Sequence, residues 1–146
     1  MTILVDADAC PVKEIIVRLA RITKTPVTMI LDTSHEYNDG YSTVITVDKA
    51  RDSVDIKLIN LTSSGDIVVT QDFGVAAMAL AKKAIAINQN GRLYTNENMD
   101  QLLFERHMGQ KIRRGGGKSG TIRKRTKEDN ESFERSFSII LGVCHE

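Results

Sequence analysis

The sequence has few of the features that mark several common protein classes. Its two cysteines, Cys10 and Cys144, lie far apart and lack CxxC spacing, which argues against a disulfide scaffold or a zinc ribbon and favours a reducing cytoplasm. No segment approaches the roughly 20 apolar residues that a membrane helix needs, and we find no secretory signal pattern. GxxxxGK[ST] does not occur, and the one GxGxxG match, GGGKSG at residues 115–120, lacks the preceding strand and following helix that a phosphate loop requires, so the loops of dinucleotide and nucleoside-triphosphate folds are not indicated. We therefore expect a cytoplasmic globular protein without a membrane partner.

Net charge is also nearly absent, but the charges are unevenly placed. The chain has 20 Lys and Arg against 19 Asp and Glu, a formal charge of +1. Residues 1–110 hold 11 basic and 14 acidic side chains, residues 111–127 hold 8 basic and none acidic, and residues 128–146 hold one basic and five acidic. This basic segment (residues 111–127), which is rich in glycine, is typical of a contact surface for polyanions. A solvated loop without a partner is the alternative.

The apolar pattern predicts alternating strands and helices. The 146 residues, 41% of them hydrophobic, allow one domain with a real core. Strands are predicted at residues 2–6, 26–32, 42–48, 66–72 and 84–88, and helices at 11–24, 52–62, 73–84, 98–114 and from about Lys127. This alternation predicts an α/β fold, with a central parallel sheet of about five strands and helices on both faces.

Finer local features are also predicted. Residues 88–92 read as a turn, and Thr126 with Asp129 resembles a capping box at the start of the last helix. The residues predicted to face the core are Val12, Ile15, Ile16, Leu19 and Ile22 in the first helix, Val54, Leu58 and Leu61 in the second, Met99, Leu102 and Leu103 in the fourth, and Phe133, Phe137, Ile140 and Leu141 in the last.

Carboxylates follow the predicted strands. Four of the five predicted strands end on an aspartate: Asp6, Asp32, Asp48 and Asp72. Asp8 comes two residues after the first strand, and Asp52 and Asp55 begin the helix predicted over 52–62. Because the carboxyl ends of parallel strands lie at the same edge of a sheet, where ligands bind, we expect several of these side chains to converge.

Converging carboxylates repel one another unless a cation neutralises them or they share protons. Mg²⁺ and Mn²⁺ prefer such oxygen ligands, and two such ions can activate a water and stabilise the leaving oxygen of a phosphodiester. The candidate catalytic residues are Asp6, Asp8, Asp55 and Asp72, and the candidate metal ligands are these four with Asp52. For each aspartate taken singly, a helix cap or a turn is the competing interpretation.

Other chemically active side chains are weaker candidates. Thr70 and Gln71 stand beside Asp72 and could orient a water or a phosphate. Cys10 lies near a predicted helix start, but burial as a small apolar side chain is the favoured interpretation. The three histidines are scattered without metal-ligand spacing: His35, His107 and His145.

Several motifs together resemble one known family. They are DADACPVK (6–13), the DxxD of Asp52 and Asp55, GDIVVTQDFGVA (65–76) and GG…RKRTKED (116–129). Together they resemble the bacterial YaiI/YqxD family, which is similar to PIN-like domains, a group that includes metal-dependent nucleases. The resemblance implies one three-layer PIN-like domain over residues 1–146, with a basic loop at about 111–127 before a C-terminal helix. It also implies site acids at Asp6, Asp55 and Asp72, with Asp8 and Asp52 as neighbours.

The leading hypothesis is a Mg²⁺- or Mn²⁺-dependent phosphodiesterase that acts on RNA or single-stranded nucleic acid. Its candidate phosphate contacts are Arg113, Arg114, Lys118, Arg123, Lys124 and Arg125. With 5% aromatic residues, sequence-specific reading of single strands is not indicated. A non-catalytic module that binds RNA or a ribosomal surface through the basic segment is the alternative, and a homodimer would lengthen that surface. A phosphohydrolase of the haloacid-dehalogenase type, suggested by Asp6 and Asp8, fits the surrounding residues less well.

Overall fold

The computed structural model describes residues 1–8, 10–32, 36–48, 53–101, 104–105 and 124–143. The elements in chain order are β1 (Ile3–Asp6), α1 (Lys13–Thr23), β2 (Val27–Asp32), β3 (Thr43–Val47), α2 (Val54–Leu61), β4 (Ile67–Val69), α3 (Phe73–Ala81), β5 (Ile85–Ile87), β6 (Leu93–Tyr94), α4 (residues 96–101) and α5 (Lys127–Leu141). The strands coincide with the five predicted apolar runs, and a short sixth strand follows them.

The strands form one sheet in the order β3-β2-β1-β4-β5-β6, in which β6 alone is antiparallel to its neighbour. β1 lies between β2 and β4, with Val5 opposite Met29 on one side and Val69 on the other. The strand order reverses between β1 and β4, since the chain builds outward from β1 first in one direction and then in the other. In sheets of this kind the usual ligand position is at the carboxyl ends of the two strands that flank the reversal, here β1 and β4.

Side chains from the two faces of the sheet form two separate cores. Ile3, Val5 and Met29 lie on one face with Ile16 of α1 and Phe133 and Phe137 of α5, all fully buried. Leu4, Ile30 and Val68 lie on the other face with Leu58 of α2 and Val75 of α3. Successive strand residues alternate between these cores, as pleating requires. The α/β fold prediction is therefore confirmed, and the mostly parallel sheet between two helical layers is consistent with a three-layer PIN-like fold.

Some local predictions were wrong. β6 was not predicted, because two residues carry too little pattern to reveal a strand. Ile22 and Leu61, which were predicted to face inward, lie at the ends of their helices and are 61% and 40% exposed. β4 ends at Val69, so Asp72 lies three residues beyond the strand. The helix predicted over 98–114 begins at residue 96, and residues 106–114 lie outside the described part of the chain.

The start of α5 has the predicted capping box. The Thr126 side chain accepts a hydrogen bond from the Asp129 backbone N–H at 3.3 Å, and the Asp129 side chain accepts one from the Thr126 N–H at 2.9 Å. The helix packs on the turn between β5 and β6, where the Ser132 hydroxyl donates to the Asn90 carbonyl at 2.9 Å. Among the described helices, none combines the length and the apolar character needed to cross a bilayer.

Candidate functional site

The first two candidate aspartates lie at the carboxyl end of β1. Asp6 is the last residue of that strand, and its Oδ2 accepts a hydrogen bond from the Thr70 hydroxyl at 3.1 Å. Asp8 lies in the following loop, and its Oδ2 accepts from the Asp32 backbone N–H at the end of β2, at 3.2 Å. The neighbouring strands thus hold both side chains at the carboxyl edge of the sheet.

Thr70 links Asp6 to the third candidate aspartate, Asp72. The Thr70 Oγ1, which donates to Asp6, accepts from the Asp72 backbone N–H at 3.0 Å. Its main chain is fixed as well, because its N–H donates to Ile87 O and its carbonyl accepts from the Tyr94 hydroxyl. At 2% exposure, this threonine is a buried connector between the ends of β1 and β4. Sequence reasoning ranked it low because the link depends on a contact across 64 residues.

Asp72 and Asp55 both lie at the start of a helix, but only Asp72 caps it. Asp72 is the N-cap of α3, and its Oδ1 accepts from the Val75 N–H at 3.0 Å. The capping interpretation therefore holds for Asp72, whose side chain also remains exposed at the edge. In α2 the cap is Ser53, which accepts from the Ile56 N–H, so Asp55 lies two positions after the cap, as the second residue of the helix.

The four carboxylates influence one another electrostatically. The pKa of Asp6 is raised to about 6, chiefly by burial, against the opposing effect of the bond from Thr70 and with smaller contributions from the charges of Asp55, Asp8 and Asp72. Burial and the charge of Asp72 likewise raise the pKa of Asp55. The structure therefore brings together Asp6, Asp8, Asp55 and Asp72, which we call the carboxylate cluster. Asp48 is exposed at the end of β3, and Asp52 lies outside the described residues.

The donor atoms of the carboxylate cluster suit a hard cation, but their positions do not form a complete coordination shell. Its donors are oxygens alone, and their mutual repulsion is the kind that a divalent cation relieves. Within the described ranges, however, no three His, Cys, Asp or Glu side chains form a group that could hold one metal ion. Mg²⁺ typically binds through one or two carboxylates and keeps several waters. The residues therefore fit such an open site and do not form a closed cage.

The two described candidates of the basic segment differ in their surroundings. Lys124 is exposed. The Arg125 guanidinium donates to Asn130 Oδ1 at 2.7 Å, to Asn90 Oδ1 at 2.7 Å and to Gln89 O at 2.6 Å. Arg125 therefore joins the start of α5 to the turn after β5, a structural role that the sequence did not reveal. The remaining candidates lie outside the described residues: Arg113, Arg114, Lys118 and Arg123.

The loop after β1 also carries a thiol with nearby positive charges. Cys10 is 8% exposed, in agreement with the interpretation as a small buried side chain. Burial raises the pKa of its thiol, while the charges of Lys13 and Arg125 oppose that rise. Both cations therefore lie at the same edge of the sheet as Asp6. The histidines at 35, 107 and 145 are outside the described part of the chain.

Comparisons with known proteins identify the family to which this chain belongs. The sequence profile described as "Uncharacterized BCR, YaiI/YqxD family" matches residues 4–142. A UPF0178 protein of Ruminiclostridium cellulolyticum is 67% identical over 97% of this chain and 92% of its own length. Another from Alkaliphilus oremlandii is 59% identical over 92% and 87%, and one from Exiguobacterium sibiricum is 50% identical over 97% and 96%. No solved structure matches the chain significantly. The chain thus belongs to the YaiI/YqxD (UPF0178) family.

Proposed function

We propose that this protein is a divalent-metal-dependent phosphodiesterase that acts on RNA or single-stranded nucleic acid. The observation that carries the proposal is the carboxylate cluster, in which acids from the end of β1, the first turn of α2 and the cap of α3 meet around Asp6. Acids from separate chain segments that lie close together, with raised pKa values such as those of Asp6 and Asp55, are typical of functional sites. Helix capping accounts for Asp72 but not for Asp6, Asp8 or Asp55, none of which is an N-cap.

The metal in this proposal is Mg²⁺ or Mn²⁺, and its candidate ligands are Asp6, Asp8, Asp55 and Asp72, of which one or two would bind an ion that keeps several waters. Such an ion, when bound, polarises a phosphoryl oxygen and stabilises the charge that develops on the leaving group. Thr70 keeps Asp6 and Asp72 in fixed relative positions, because one hydroxyl bonds to both residues. This buried link limits the movement of the two acids on ion binding, which favours a defined coordination geometry.

The basic segment supports a nucleic-acid substrate over a small phosphate ester. Eight cations without an acid among them offset the repulsion between the carboxylate cluster and a phosphate backbone, and they favour a long polyanion. Arg125, near the end of this run, bonds to the turn after β5, which lies at the carboxyl edge of the sheet. We therefore expect binding of single-stranded RNA to weaken steeply as salt is added.

The proposal is tested with Asp6→Asn and the matched control Asp48→Asn. Both variants remove one carboxylate from a strand end, but Asp48 is not among the charges that act on Asp6. Calorimetric titration with Mn²⁺ should show binding by wild type and Asp48→Asn, and a loss of at least tenfold in affinity for Asp6→Asn. Hydrolysis of RNA and of single-stranded DNA should follow the same pattern.

The other outcomes separate the alternatives. Salt-sensitive RNA binding that persists in Asp6→Asn, without hydrolysis by any of the proteins, would favour a non-catalytic binding module. Hydrolysis of small phosphate monoesters in preference to RNA would favour the phosphohydrolase alternative. Equal hydrolysis by Asp6→Asn and wild type would contradict the proposed function.

A further inference from the structure

The ammonium group of Lys13 lies at the border of the carboxylate cluster. Lys13 is the first residue of α1, and its side chain reaches back so that Nζ donates to the Ala7 carbonyl at 3.4 Å. Ala7 stands between Asp6 and Asp8 in the chain, so this carbonyl lies within the loop that carries both carboxylates. The positive charge is therefore held beside the cluster by the fold itself, independently of the basic segment.

The ring of Tyr37 fixes the ammonium from a second direction. Lys13 Nζ lies 5.0 Å from the ring centroid, a cation–π distance. The ring is itself held in place, since the Tyr37 hydroxyl donates to Asp39 Oδ2 at 2.6 Å. Asp39 in turn accepts from the backbone N–H groups of Tyr41 and Ser42 at 2.8 Å and 2.6 Å. Lys13 is thus held on a pre-positioned support, beside the loop that carries Asp6 and Asp8, and is not a freely rotating surface chain.

The ammonium group of Lys13 makes weaker described contacts with the protein than the charged groups of Arg125 and Lys82 do, which leaves it suited to bind a ligand. Arg125 makes three short bonds to protein acceptors, and Lys82 donates to Ile59 O at 2.6 Å and to Thr62 O. These two side chains serve the fold. Lys13 has three N–H donors, yet its described contacts are one carbonyl near the outer limit of a hydrogen bond and the face of a ring. A phosphate oxygen is a stronger partner than either.

We propose that Lys13 binds a non-bridging phosphate oxygen of the nucleic-acid strand beside the carboxylate cluster, and so sets which phosphodiester lies next to Asp6. This inference rests on the proposed function and names a substrate contact within that site. A phosphodiester that approaches four carboxylates is repelled, and a fixed cation at their border offsets the repulsion at one point along the strand. The basic segment would then supply affinity for any strand, and Lys13 would set the register of the strand at the site.

The test compares Lys13→Met with Lys24→Met. Lys24 is an exposed lysine at the opposite end of α1, so the two variants lose the same charge at opposite edges of the sheet. Binding of a fluorescein-labelled oligouridylate is measured over a salt series in the Asp6→Asn background, so that the strand is not consumed. We expect Lys13→Met to weaken binding about tenfold, as for the loss of one charged hydrogen bond.

The salt dependence separates a phosphate contact from a structural role. Loss of one phosphate contact should lower the slope of log affinity against log salt by about 0.7 in Lys13→Met. Lys13→Arg should keep the slope, and Lys24→Met should behave as the parent. Tyr37→Leu, which keeps the lysine but removes its support, should weaken binding less than Lys13→Met.

Hydrolysis with Mn²⁺, in proteins that retain Asp6, distinguishes the two proposals. Asp6-dependent cleavage with equal binding by Lys13→Met and Lys24→Met would overturn the role of Lys13 and leave the proposed function standing. Binding that depends on Lys13, without cleavage by any of the proteins, would support the phosphate contact and contradict the proposed phosphodiesterase activity. If Asp6→Asn, the parent of the binding variants, does not bind the oligouridylate, the inference is overturned.

Discussion

The carboxyl group of Asp6 makes the stability of the fold depend on pH. Its pKa is about 6 in the folded protein against an ordinary value of 3.8, so the folded state binds this proton more tightly than the unfolded state does. The resulting stabilisation is fully present below about pH 4 and is lost as the pH rises through about 6. In the absence of a metal ion, the ionised carboxylate at neutral pH is therefore a destabilising group.

Asp6→Asn should stabilise the metal-free protein at pH 7. The asparagine is neutral and keeps an oxygen that can accept from the Thr70 hydroxyl. Allowing for partial exposure of the side chain, we expect the free energy of unfolding to rise by about 1–2 kcal/mol at pH 7, and the gain to disappear near pH 4. Denaturant unfolding in EDTA at both pH values measures this difference. The exposed Asp48→Asn serves as control, and a variant less stable than wild type at pH 7 would contradict the prediction.

At the level of single residues, the sequence predicts the acids of the site but not the groups that position them. Asp6 and Asp8 are predictable because carboxyl ends of parallel strands share an edge. The bonds from Thr70 to Asp6 and from Arg125 to Asn90 join residues 64 and 35 positions apart. No local pattern marks such pairs, because each depends on the register of the sheet and the placement of α5. Lys13 escapes prediction for the same reason, since its significance lies in a side chain that folds back over the preceding loop.

Among the helices, α3 depends on a residue that also belongs to the candidate site. Asp72 caps its first turn through Val75, so a substitution there can change stability and chemistry together. Asp72→Asn keeps a capping oxygen, whereas Asp72→Ala removes it, at a cost of about 1 kcal/mol in unfolding free energy. We expect both variants to lose RNA hydrolysis and Asp72→Ala alone to lose this additional stability.

Denaturant unfolding and hydrolysis assays on the same two preparations measure these effects. Full hydrolysis by Asp72→Asn would show that the aspartate serves α3 and not the chemistry. Equal stability of the two variants would show that the cap contributes little to the fold.

The sequence indicates the elements well where its pattern is long or chemically specific. The buried strands appear as continuous apolar runs because both faces of the sheet are covered. α5 was predicted to begin at Lys127 because Thr126 and Asp129 form a reciprocal pair that can be recognised from spacing alone. The end of β4 was predicted too late, because Thr70 and Asp72 continue the strand in composition while their side chains already form the next turn.

The molecule as a whole depends on close packing between α5 and the turn that joins β5 to β6. Gly91 has a φ of +86°, and a Cβ added there would lie 2.6 Å from the Ser132 carbonyl oxygen and 3.0 Å from the Phe133 Cα. These contacts are main-chain atoms, which cannot move aside without shifting the helix. Gly91→Ala should therefore lower the free energy of unfolding by about 2–4 kcal/mol, the sum of backbone strain and overpacking.

Gly65→Ala is a close control for this change. Gly65 has the same φ of +86° but nothing within 4 Å of an added Cβ, so it carries the backbone strain alone, about 1–2 kcal/mol. Thermal or denaturant unfolding gives the loss in unfolding free energy for each variant, and the difference between the two losses is the cost of the close approach to α5. Equal losses would mean that α5 accommodates the methyl group by moving.

The position of β1 in the middle of the sheet has a consequence for the newly made chain. β1 is made before both of its neighbours and must wait for them, because Ile3 pairs with Val27 and with Ile67. One of its two buried faces is covered only in part by α1, and that core is completed only when Phe133 and Phe137 of α5 have been made. Most of the nascent polypeptide therefore exposes aggregation-prone apolar surface while it grows. Long-range pairing of this kind also slows folding, so the order in which the elements are made delays completion of the core until α5 is available.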